Sequence, residues 1–261
     1  MQADFKKERK KNSAIGLTGA SGFIGQNILK KINARPLSKR TLPGWPKTII
    51  HCGWAVRGTD DQILKNITYS QRIFRSTKAR IIFISSCNVN RGNPKTIEGV
   101  AKLAVEKLLK IECQDFLTIR PLKVYGEHSI GRPYLVTRAI EAALLNKELV
   151  IHDENAMADF VYIEDVVSCI SRSLEIGERG KIYTSGTGIR TSVGELVELV
   201  EKISNKKIKK IKGHRKSPQD TDCLKKDIDR TDKQLGIIKK TKLSTGLEKT
   251  IRWFDEFCKN K

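Results

Sequence analysis

Three glycines, Gly19, Gly22 and Gly25, recur at every third position in the stretch TGASGFIG, residues 18–25. A short apolar run, AIGLT over 14–18, precedes them, and an amphipathic segment over 23–31 follows. This spacing reads as a strand, a tight glycine turn and a helix. Glycine permits the turn and a close backbone approach. The helix N-terminus then offers unpaired N–H groups and a partial positive charge to a pyrophosphate. Gly19, Ser21, Gly22, Phe23, Ile24 and Gly25 are therefore candidates for holding a phosphorylated ligand. The alternative is a structural turn with no ligand. A second pair with chemical potential is Glu98 and Lys102, four residues apart on one predicted helix face, the spacing of an i,i+4 ion pair.

These residues need a frame. Short apolar runs at 48–52 (TIIHC), 80–84 (RIIFI) and 116–120 (FLTIR) alternate with helical patterns at 66–76 and 97–110, and a further short strand is expected near 35–38. Runs without polar alternation indicate strands buried on both faces, so the fold class is α/β, a doubly wound parallel sheet. Past Gly126 the pattern loosens. Helices are expected at 135–146, 165–174, 193–203 and 247–257, with short strands at 149–152 and 160–163. The expected organisation is a basic tail over 1–12, a sheet domain from 13–126 with 157–178, and a smaller lobe from 127–156 with 179–261.

Composition narrows the function classes. With 39% hydrophobic residues in periodic runs, the chain is not disordered throughout. No stretch approaches the roughly 20 apolar residues of a membrane span, and a soluble, cytoplasmic protein is expected. Six cysteines lie far apart with no C-x-x-C pair, so reduced thiols and no metal site are expected. The 50 Lys and Arg against 29 Asp and Glu give a net charge of +21, concentrated in the first dozen residues and after Glu201. Lys206, Lys207, Lys209, Lys210 and Lys212 interleave with Ile208 and Ile211 but with no aromatic residue. That pattern favours a solvated basic surface over a nucleic-acid interface.

The ordered set TGASGFIG, IIHCGW (49–54), Asn66, FISS (83–86), RPLKVYG (120–126), DFVYIEDV (159–166) and TGLEKTIRWF (245–254) resembles the extended short-chain dehydrogenase/reductases. Within these, it resembles the NAD-dependent epimerase/dehydratase family acting on nucleotide sugars. The resemblance implies a Rossmann-like fold whose C-terminal lobe binds substrate. It implies cofactor contacts from the glycine turn and from Cys52, Gly53, Trp54, Asn66, Lys102, Pro121 and Val124. In this fold an acidic residue after the second strand selects NAD, and basic residues there accommodate NADP. Residues 30–59 contain no Asp or Glu and place Ser38, Lys39 and Arg40 at that point, so NADP is expected, with NAD possible.

Family chemistry uses a Ser or Thr with Tyr and Lys in a Y-x-x-x-K pattern. The lysine lowers the phenol pKa for proton exchange with a sugar oxygen. Through the resemblance, Ser86 and Lys102 fall at the serine and lysine positions, and Glu98 stands where tyrosine belongs. A carboxylate, ordinarily ionised at neutral pH, accepts a proton but does not donate one. An altered catalytic role for Glu98 therefore stands beside a plain ion pair. Substrate contacts are expected from Ser86, Asn88, Arg132 and Arg215, since Ala158 replaces the arginine that many relatives place before Asp-Phe. The resemblance also implies a homodimer through the helix of Lys102 and its neighbour. The alternative function is a non-catalytic NADP-binding relative, a sensor or partner subunit.

Overall fold

A computed structural model describes residues 14–37, 45–55, 59–92, 94, 96–214 and 224–259. The expected basic tail, Ser38, Lys39, Arg40, Arg215 and Cys223 lie outside the described residues. In chain order the elements are β1 (Ile15–Thr18), α1 (Phe23–Lys31), β2 (Arg35–Pro36), β3 (Thr48–His51), α2 (Asp60–Ser76) and β4 (Arg80–Ile84). A 3-10 turn (Cys87–Gly92), α3 (Ile97–Glu112), β5 (Phe116–Pro121), β6 (Lys123–Tyr125), α4 (Leu135–Leu145), β7 (Glu148–Ile151), β8 (Met157–Ala158) and β9 (Phe160–Tyr162) follow. The chain continues through α5 (Ile163–Ile176), β10 (Ile182–Ser185), β11 (Thr191–Ser192), α6 (Val193–Ser204), β12 (Lys209–Lys212), α7 (Lys225–Leu235) and α8 (Leu243–Lys259).

Six strands form one parallel sheet in the order β10-β5-β4-β3-β1-β2. The apolar runs divide residue by residue between its two faces. Ile50, Ile82, Ile84, Leu117 and Ile119 join Ile28 of α1 and Val166 and Ile170 of α5 on one side. Ile49, Ile81 and Phe83 join Ile73 and Phe74 of α2 and Val105 and Leu109 of α3 on the other. Because successive strand side chains point to opposite faces, both sets are apolar only where helices cover both faces. The first set continues into α4, α6 and α8 through Ala139, Ile140, Val197, Val200, Leu247 and Phe254, so the helices beyond the sheet share one core with it.

Several elements extend or add to the expected ones. Helix α2 begins six residues earlier than its apolar pattern, at Asp60, because Thr59 and Gln62 close a reciprocal capping box. Asp60 and Asp61 complement the positive end of the same helix. Helix α7 was invisible to periodicity, since its apolar stripe is only Ile228, Thr231 and Leu235. Helix α8 starts at Leu243, through Gly246, where a Cβ would lie 2.1 Å from the Tyr125 hydroxyl oxygen. Glycine there lets Tyr125 reach the Leu243 carbonyl at 3.2 Å. Strand β10 falls in the stretch that the sequence assigns to the smaller lobe, yet it pairs with β5 as the edge strand of the main sheet.

A buried charge cluster fixes α3 against the sheet. The Glu106 carboxylate accepts Arg120 Nε at 3.0 Å and Nη2 at 2.5 Å, and also the Ser85 hydroxyl at 2.5 Å. The pair's side chains are 6% and 16% exposed for Glu106 and Arg120. Removing one member of such a pair leaves the other charge desolvated without its counterion. Glu106→Ala is therefore expected to cost about 3 kcal/mol in urea unfolding, with Glu106→Gln between it and the parent. An unchanged midpoint would show that water screens the pair.

Candidate active site

Parallel pairing brings the ends of β1, β3, β4 and β5 to one edge of the sheet. The strand order reverses direction between β1 and β3, the switch point at which open α/β sheets bind ligands. The glycine turn lies there. Gly19 has φ +70, and a Cβ on it would meet the Cys52 carbonyl oxygen at 2.6 Å. A Cβ on Gly25 would meet the Gly19 oxygen at 2.1 Å. Gly22 caps α1 with no side-chain hydrogen bond and no acidic residue in the first turn. The leading N–H groups of this helix thus have neither an intrahelical partner nor a competing carboxylate. Phe23 is buried and Ile24 packs against the core, so both offer backbone rather than side chain to the edge; Ser21 is exposed.

Across the switch point a chain of hydrogen bonds holds the end of β3. Gly53 N–H donates to Thr18 Oγ1 at 3.0 Å, and Thr18 Oγ1 lies 2.7 Å from His51 Nδ1. His51 Nε2 lies 2.9 Å from Ser70 Oγ, which donates to the Asn66 carbonyl at 2.7 Å. The donors run in one direction only. The Ser70 proton is spent on Asn66, so His51 Nε2 carries the ring proton. Burial, followed by the nearby Lys102 charge, holds the ring's pKa down at about 3, so it is neutral at pH 7 and Nδ1 accepts from Thr18. Asn66 completes the clamp: Oδ1 accepts Ala55 N–H at 2.9 Å, and Nδ2 donates to the Ala55 carbonyl at 3.0 Å and to that of Ile63 at 2.8 Å. The Cys52 thiol points back to the Thr18 carbonyl at 3.0 Å, and burial raises its pKa to about 12, so it is no nucleophile at neutral pH.

Lys102 reaches the same edge from α3. Its Nζ donates to the carbonyls of Ile84 at 3.1 Å and Ser85 at 3.2 Å. It also sits 4.5 Å from the Trp54 ring centroid and 5.7 Å from that of Phe83. Burial lowers its pKa to about 8, opposed by the charges of Glu98 and Glu106. Glu98 lies one turn back and partly exposed. The two do not form the expected close ion pair, because the lysine's donors go to strand-end carbonyls instead. Ser86 Oγ accepts the Asn88 N–H at 3.2 Å. Gly99 makes room for this turn, since a Cβ there would meet the Asn88 carbonyl oxygen at 3.0 Å. Ser86, Asn88, Glu98 and Lys102 thus share one end of α3. Pro121 ends β5 opposite Ser185, and Val124 follows in β6, paired with Val161. Arg132 sits in the loop before α4, partly buried, with its N–H on the Ser129 carbonyl.

The NAD dependent epimerase/dehydratase family matches residues 45–186, more than half of the chain. The chain belongs to this family. An uncharacterized protein of Methanocaldococcus jannaschii is 34% identical over 143 residues, 53% of this chain and 42% of that protein. UDP-glucose 4-epimerase of Drosophila melanogaster is 26% identical over 189 residues, 62% of this chain and 54% of the relative. The chain spans about half the length of the curated relatives it matches. Among solved structures, MoeE5 in complex with UDP-glucuronic acid and NAD has a TM-score of 0.82 at 22% identity, covering 93% of this chain and 99% of that one. RMD from Pseudomonas aeruginosa complexed with NADPH has a TM-score of 0.79 at 19% identity, covering 93% and 99%. UDP-glucose 4-epimerase of Thermotoga maritima with UDP-glucose has 0.79 at 20%, covering 94% and 99%. The shared fold is the Rossmann-like sheet described above.

Two features of the site escaped sequence reading: the Thr18–His51–Ser70–Asn66 chain and the Trp54 indole over Lys102. The first has no spacing signature, because its members come from β1, β3 and α2. It has a pH consequence. The folded pKa of His51 lies below its ordinary 6.5, so between pH 6.5 and about 3 the unfolded chain binds a proton that the folded one does not. This contribution to stability is complete above pH 6.5 and shrinks as the pH falls. Below pH 6 the parent should lose up to about 1.4 kcal/mol per pH unit more than His51→Gln in urea melts. Parallel slopes would mean that the folded ring takes up the proton.

Proposed function

We propose that this chain binds a nicotinamide dinucleotide, NADP in preference to NAD, at the β1/β3 switch point and acts on a nucleotide-linked sugar. The reaction is hydride transfer at a sugar carbon, in the manner of an epimerase, dehydratase or reductase. The observation that carries the reading is the Gly19–Gly22–Gly25 turn. A Cβ would be blocked at Gly19 and Gly25, and the uncapped end of α1 stands beside it, a cradle suited to a pyrophosphate. The cofactor preference is supported by sequence alone, through Lys39 and Arg40 and the lack of acidic residues over 30–59.

A bound nicotinamide would supply the hydride chemistry at the sugar carbon, held by the glycine turn and Lys102. This chain's residues position and move the accompanying proton. Ser86 Oγ already accepts the Asn88 N–H, which leaves its own proton to donate to the reacting sugar oxygen. Lys102, kept in its charged form by Glu98 and Glu106, supplies the positive field that favours an oxyanion and holds the ribose. Glu98, partly exposed one turn from Lys102, accepts the proton of the sugar hydroxyl where relatives use a phenol. The segments outside the sheet that carry Arg132 and Arg215 receive the sugar nucleotide. Pro121 and Val124 line the cofactor side where the chain leaves β5.

A second reading keeps the dinucleotide and drops the chemistry, and the carboxylate at Glu98 favours it. Calorimetry separates the two. NADPH should bind, and one nucleotide sugar should strengthen that binding. Neutralising Lys39 and Arg40 should weaken NADPH more than NADH. With a matched sugar, Glu98→Tyr should raise turnover by about 10-fold or more, the lower range of general acid–base contributions being about 100-fold. Binding without turnover in either protein would leave a sensor or partner subunit. No dinucleotide binding at all would sink both readings.

A further inference from the structure

We infer that Trp54 is a movable cover for the Lys102 amine: its indole shields Nζ until a dinucleotide enters the crevice and displaces it. The inference rests on the dinucleotide reading proposed above. It makes Trp54 a positioning residue that sets how readily the nicotinamide half is taken up.

Geometry singles out this side chain. Trp54 follows β3 by three residues, at the same sheet edge as the glycine turn. Its backbone is held on both sides, by Gly53 N–H on Thr18 Oγ1 and by Ala55 bonded through both N–H and carbonyl to Asn66. Only the side-chain torsions are left to move. The indole lies 4.5 Å from Lys102 Nζ and 6.1 Å from the Phe83 ring, and Lys102 is only 6% exposed.

Neither covered group is fully satisfied in this arrangement. An ammonium has three protons, and two of them are met by the carbonyls of Ile84 and Ser85. The third faces a π cloud, a weaker partner than an oxygen. The Trp54 Nε1–H is buried and has no hydrogen-bond partner among the described residues. A buried unpaired donor is costly, and the usual resolution is an acceptor supplied from elsewhere. A ligand rich in hydroxyl and phosphate oxygens supplies acceptors to both groups once the ring swings away from the amine. Covering of this kind lowers apparent affinity by the fraction of molecules in which the cover is closed.

The test uses the full chain, a brief pulse of acetic anhydride read by peptide mass spectrometry, and calorimetry with NADP+. In the parent, Lys102 should acetylate at least ten-fold more slowly than exposed Lys206 and Lys210. In Trp54→Ala its rate should approach theirs, and NADP+ should bind several-fold more tightly. Trp54→Leu, which retains apolar bulk, should move both readouts in the same direction by less, and it serves if the alanine variant is poorly folded. Equal Lys102 acetylation in parent and variants overturns the cover. Weaker NADP+ binding on removal of the indole also overturns it, since the ring would then be a fixed stacking platform. Faster acetylation with no NADP+ binding in any protein removes the dinucleotide reading, and displacement with it.

Discussion

The contact on which the site depends is the approach of the first turn of α1 to the end of β1, where the space for a Cβ on Gly25 is already taken by the Gly19 carbonyl oxygen at 2.1 Å. No rotamer adjustment relieves a clash between two backbones. The approach aims the helix N-terminus at the sheet edge. It also fixes Gly19 against Cys52, so the glycine turn and the end of β3 form one surface. Thr18, in the last position of β1, then bonds both Gly53 and His51, carrying the constraint across to α2. The glycine turn and the wall beneath Trp54 are consequently two ends of one packed and hydrogen-bonded unit.

Charge at the other end of the crevice is handled by burial. Lys102 gives up most of its water, which by itself favours the neutral amine, while Glu98 and Glu106 favour the ammonium. The result is a pKa of about 8, close enough to neutrality for the amine to respond to whatever sits beside it. Glu106 is not free to neutralise the lysine directly, because Arg120 and Ser85 already occupy its carboxylate. The lysine's field is thus left for the edge of the sheet, where Ser86 and Glu98 lie.

What was legible in the sequence follows from what each feature depends on. Helix α1 matched its expected bounds because glycine punctuation and apolar period both mark it, and the central strands were visible as runs buried on both faces. The start of helix α2 is hard to read because its first six residues, Asp60 to Lys65, begin at a capping box and bury only Ile63. Strand β10 was missed because IYTS is short and carries polar residues, and its place beside β5 is set by the long-range pairing of Tyr183 with Ile119. In the site, residues belonging to one local motif were foreseeable. Those defined by what they touch were not: no spacing shows that both amide atoms of Asn66 bond Ala55.

The polar groups at the sheet edge divide into two sets. Asn66, Thr18, Ser70 and His51 fix backbone around the ends of β1 and β3. Glu98, by contrast, lies partly exposed and outside the hydrogen-bonded unit. None of the hydrogen bonds that hold the turn, the strand ends or Lys102 runs through the Glu98 side chain. A substitution at Glu98 therefore leaves the hydrogen bonds of the scaffold in place and acts instead through the charge that Lys102 feels.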